Sequence, residues 1–73
     1  MEEVEVLALK SLCPKEYKRA YDIWHAAPDA YPLLELGIAY KRLRDAAIPS
    51  GIVVNIILLT MYWRRQLNGK IPL

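Results

Sequence analysis

AAIPSGIVVNIILLTMYW, residues 46–63, is the stretch whose reading decides the fold of this chain. It carries no charged side chain. Beyond Pro49 come Ile52, Val53, Val54, Ile56, Ile57, Leu58, Leu59, Met61, Tyr62 and Trp63, interrupted only by Asn55 and Thr60. Wound into a helix, these apolar side chains surround the axis and leave no solvent-facing side. A helix of that kind belongs inside a large core or in lipid. A chain of 73 residues has no large core, because chains this short bury only about 60% of the surface they expose when unfolded.

Length is compatible with the bilayer but decides little. At about 1.5 Å per residue the uncharged run spans about 27 Å, close to the roughly 30 Å hydrocarbon core. The predicted architecture is therefore all-α, an amphipathic helical hairpin followed by a single transmembrane helix over residues 46–65. In that reading Tyr62 and Trp63 take the aromatic belt, and Arg64 and Arg65 anchor to headgroups. Pro49 either kinks this helix or marks its start. Two readings compete: the run is a helix buried in a partner protein, or its β-branched residues form a strand. The strand suffers from an apolar run far longer than the usual five or six residues, with no comparable run to pair with.

Working outward, the flanks are charged. All eight acidic residues and seven of the ten basic ones fall within residues 1–45, while RRQLNGKIPL at the end is basic only. Lys41, Arg42 and Arg44 precede the neutral run, and Arg64, Arg65 and Lys70 follow it, so the positive-inside rule gives no orientation. Upstream, Pro14 suits a first helical position. Tyr17, Ala20, Tyr21, Trp24 and Ala27 recur at three- and four-residue steps, one face of a helix that Pro28 ends. After Asp29, Ala30 and Tyr31, Pro32 opens a second segment in which Leu33, Leu36, Tyr40, Leu43 and Ala47 share a face. The expected division is an N-terminal extension at 1–13, a helical hairpin at 14–45, the span at 46–65 and a short basic tail at 66–73. MEEVEVLALKSL has neither the basic start nor the apolar core of a secretory signal.

Residues with chemical potential are few. His25 lacks companions at metal-ligand spacing. Cys13 has no second thiol to pair with, since it is the only cysteine, and it reads as a small buried or capping residue. Lys41, Arg42 and Arg44 have too few basic companions for a nucleic-acid footprint. No catalytic, metal or cofactor-binding constellation is present, so no enzyme activity, cofactor or nucleic-acid partner is expected.

The predicted sites are structural. Asn55 in hydrocarbon needs a polar partner, and with Ala47 and Gly51 at four-residue steps it marks a helix-docking face. Ala46 with Ser50, and Ala47 with Gly51, supply small-residue pairs for close approach. Tyr17, Tyr21, Trp24 and Tyr40 are the expected contact anchors for partner proteins. In general form the chain resembles the small supernumerary subunits of mitochondrial respiratory or ATP-synthase complexes, a likeness of architecture without a shared motif. It implies a non-catalytic accessory subunit in the mitochondrial inner membrane, held by larger membrane subunits and lipid headgroups. The alternative is a small soluble helical adaptor whose apolar C-terminal helix is buried in a partner.

Overall fold

A computed structural model describes residues 1–29 and 33–69. Four helices carry the fold: α1 (Glu3–Leu12), α2 (Pro14–Ala26), α3 (Leu34–Ala47) and α4 (Ile56–Gly69), with a 3₁₀ turn at Ile48–Ser50 between the last two. The all-α expectation holds. The transmembrane helix does not: among the described residues no helix is long and apolar enough to cross a membrane.

The residues that break the neutral run are Gly51 and Asn55. Gly51 sits in the left-handed region at φ 74°, ψ 14°, which a residue without a Cβ adopts at little cost. Its N–H donates to the Ile48 carbonyl at 2.9 Å, and the Ile52 N–H donates to the Ala47 carbonyl at 3.3 Å. That bond pair around a left-handed glycine is the Schellman arrangement, which ends a helix and turns the chain away. Residues 52–55 are non-helical. Asn55 then opens α4: its Oδ1 accepts the Leu58 N–H at 3.1 Å, and its carbonyl accepts the Leu59 N–H at 2.9 Å. Asparagine is among the best helix N-caps because its short side chain satisfies an otherwise orphaned donor. What reads as one apolar helix is a stop, a linker and a start.

α1 and α2 act as one bent apolar rail. Val6, Leu9, Cys13, Tyr17, Ala20 and Trp24 are all buried and follow one another at steps of three or four residues. The rail bends where Cys13 leaves helical geometry (φ −129°, ψ 59°) ahead of Pro14. Proline gives up no intrahelical bond at this first position, and the Tyr17 N–H still reaches the Cys13 carbonyl at 2.9 Å. The Glu2 N–H donates to Glu5 Oε1 at 3.3 Å, and Glu3 and Glu5 place negative charge in the first turn of α1, where the helix dipole favours it.

α3 packs on α2 through Leu36, Ala39, Tyr40, Leu43 and Ala47, all buried. α4 contributes Leu59 and Trp63. The core thus draws on every helix, including the one within residues 1–13, where the sequence reading assigned no element. Helix α2 lies within the expected 14–45 segment and α3 runs past its end to Ala47, while Ala30, Tyr31 and Pro32 lie outside the described residues. Of the expected basic tail, residues 66–69 form the last turn of α4, and Lys70 lies outside the described residues.

Candidate protein-interaction surface

Trp63 is the hub of the interior. Its ring centroid lies 5.4 Å from that of Tyr21, 5.4 Å from Trp24, 5.7 Å from Tyr17 and 6.1 Å from Tyr40. Tyr17 and Tyr21 meet it edge-on at 83°, the geometry in which the positive edge of one ring faces the negative face of another. Trp63 Nε1–H donates to the Tyr17 hydroxyl at 2.8 Å. Beside it, Thr60 donates its proton to the Ile56 carbonyl at 2.9 Å. Tyr40 O–H therefore donates to Thr60 Oγ1, 2.7 Å away. These two bonds tie α4 to α2 and α3.

This geometry relocates the predicted anchors. Tyr17, Trp24 and Tyr40 are buried and Tyr21 is half-buried, and all four pack on Trp63 of the same chain. Tyr17, Trp24 and Tyr40 belong to the core, and Tyr21 packs against it. Trp63 is 2% exposed and takes no aromatic belt; Tyr62 is half-buried, and Arg64 and Arg65 are exposed beside it. Arg64 reaches the Pro28 carbonyl at 3.3 Å. Ala47 is buried against the core and Gly51 and Asn55 are exposed, so the three do not form one helix face. With the span gone, membrane subunits and lipid headgroups lose their basis as partners, as does a single-pass location in the mitochondrial inner membrane.

His25 is exposed and stacks on Tyr21 at 5.4 Å and 27°. Among the described residues no three histidine, cysteine, aspartate or glutamate side chains gather to hold a metal. Cys13, at the joint of α1 and α2, is buried, and burial, reinforced by the charge of Glu16, raises its thiol pKa above the ordinary 9.0. A raised pKa at a buried thiol lowers its nucleophilicity at neutral pH. Burial likewise raises the Tyr17 phenol above 10.0, a shift that the Trp63 hydrogen bond opposes.

Exposed large hydrophobics occur on α1 (Leu7, Leu12), on α3 (Leu34, Ile38) and at Ile48, and three more cluster on the outward side of α4. Ile57 is 72% exposed, Met61 51% and Leu58 42%. Ile57 and Met61 wall an open groove of about 300 Å³ with Trp24, Pro28, Ile56, Thr60 and Arg64. Trp24 is 1% exposed and its indole N–H has no acceptor among the described residues. On the opposite flank Leu58 and Met61 share a second concavity with Glu2, Glu3 and Glu5 of α1 and with Arg65. A third, next to α1, holds Val4, Glu5 and Val53; Val4 is 74% and Val53 86% exposed. Glu5 and Met61 each belong to two of these grooves, so the three adjoin. Together they expose apolar groups of α4, α1 and the 52–55 linker, interspersed with Glu2, Glu3, Glu5, Arg64 and Arg65. Sequence periodicity missed this surface because the wheel of an all-apolar segment does not say which side the rest of the chain covers.

Helical composition and the exposed apolar side of α4 define the class: a small all-α domain with four helices among the described residues and an open hydrophobic face on α4. No family model matches the chain, and comparison with curated proteins and with solved structures finds no significant likeness.

Proposed function

We propose that this chain is a helical adaptor that acts by docking on protein, without chemistry of its own. The supporting observation is the outward side of α4. Ile57 and Met61 stand open on one groove and Leu58 and Met61 on the adjoining one, while Leu59 and Trp63 of the same helix are buried inside. Clustered exposed aliphatic groups rimmed by charge mark interaction sites in small domains. Burying them on association removes apolar area from water at about 25 cal/mol per Å². The inner half of α4 holds the fold and the outer half is left for a partner, so docking does not require α4 to leave its own core.

Site-specific photocrosslinking in cells tests this. A photoreactive side chain at position 57 is expected to give discrete protein adducts. The same group at Lys18, on exposed α2 surface, is expected to give none. Equal, diffuse labelling from both positions would reject the α4 surface as a docking site.

A further inference from the structure

We infer that the cleft where α1 and α2 meet α4 is a binding site for a small aromatic carboxylate, a flat ring carrying one negative charge. The cleft is an open hollow of about 580 Å³, within the roughly 300–1,000 Å³ usual for small-ligand sites. Tyr17, Tyr62 and Trp63 line it together with Lys10, Lys18 and Asp22. Ile57, Leu58 and Met61 take no part in it, so the site is independent of the docking role of α4.

Three capacities are left unspent in this one cleft. The first is a proton. Tyr17 is 8% exposed, and its hydroxyl oxygen already accepts from Trp63 Nε1–H at 2.8 Å. A phenol donates as well as accepts, yet among the described residues no group accepts the Tyr17 proton. A donor on so buried a side chain costs free energy until an acceptor reaches it. The second is a charge. Lys18 is paired with Asp22 at 2.7 Å, while Lys10 has no ion pair among the described residues. The third is a ring face. Tyr62 is half-buried, and among the described residues it stacks on no other ring.

One ligand answers all three. A carboxylate accepts the Tyr17 proton and meets the Lys10 ammonium, and such charge-assisted bonds are about twice as strong as neutral ones. The ring that carries it packs on Tyr62, offset-stacked or edge-on. Charge sets the class. A phosphate ester, at about −2, would leave one charge without a partner, because Lys18 is committed to Asp22.

Titrating the nitrogen-15-labelled chain with 2-naphthoate, followed by heteronuclear NMR, tests the site. The Trp63 indole N–H signal is expected to shift to saturation, and by more than that of Trp24. Neutral 2-naphthamide is expected to bind about tenfold more weakly, the scale of one hydrogen bond to a charged group. Cyclohexanecarboxylate, which keeps the charge and lacks the flat ring, is expected to bind several-fold more weakly. Lys10→Met, at an exposed position, is expected to weaken naphthoate about tenfold and to erase the preference for acid over amide, with helicity unchanged. Shifts that do not saturate, equal affinity for acid and amide, or naphthoate binding undiminished by Lys10→Met would each overturn the assignment.

Discussion

Trp63 concentrates more of the structure than any other side chain. It is a buried indole with four aromatic neighbours and one buried hydrogen bond. Tyr17→Phe removes the acceptor of that bond and leaves the indole N–H buried and unpaired, a change expected to cost about 1–3 kcal/mol. Trp63→Ala empties the hub and is expected to cost about 3–5 kcal/mol. Urea denaturation of both variants checks the order of the two effects. Titration adds a pH signature. Cys13 and Tyr17 are neutral when protonated, and folding raises both above their ordinary values of 9.0 and 10.0. The folded chain therefore keeps protons that the unfolded chain releases, so this stabilisation is intact below pH 9 and falls as pH climbs past it. Replacing Cys13 by Ala is expected to delay the onset of that fall toward pH 10, read from denaturation midpoints between pH 7 and 11.

At the scale of elements, the break in the neutral run rests on two polar or conformational signals. Asn55→Ala removes the cap of α4 and is expected to cost about 1 kcal/mol. Gly51→Ala meets no neighbouring atom, so its expected cost of about 1–2 kcal/mol is conformational, from a Cβ forced into left-handed backbone. A double variant carrying both changes is the sharper measurement. If the break depends on these residues, far-UV circular dichroism and denaturation will show a loss close to the sum of the single effects, since the sites share no hydrogen bond. Both signals are legible in the sequence as ordinary helix punctuation. Asn55 reads as a docking group only when the run around it is first taken to be one helix. The 3.6-residue wheel cannot correct that step, because a segment apolar on every side looks continuous at any phase.

For the molecule as a whole, α1 is as much a part of the core as the hairpin. Leu9 is fully buried and Val6 nearly so, and they continue the rail of α2. Leu9→Ala is expected to cost about 2–5 kcal/mol, a large share of the roughly 5–15 kcal/mol available to a small domain. Calorimetry should accordingly show a much lower Tm. Helices α2 and α3, with their faces through Tyr17, Trp24, Leu36 and Leu43, are readable from periodicity and proline alone. So is the helical class, because local spacing and capping are properties of neighbouring residues. The sequence by itself determined those elements and the apolar excess of residues 52–63. Only the tertiary structure decided which half of that excess turns inward on Tyr17, Tyr40 and Trp24 and which half stays open. Burial depends on what distant segments cover, and no local pattern carries that information.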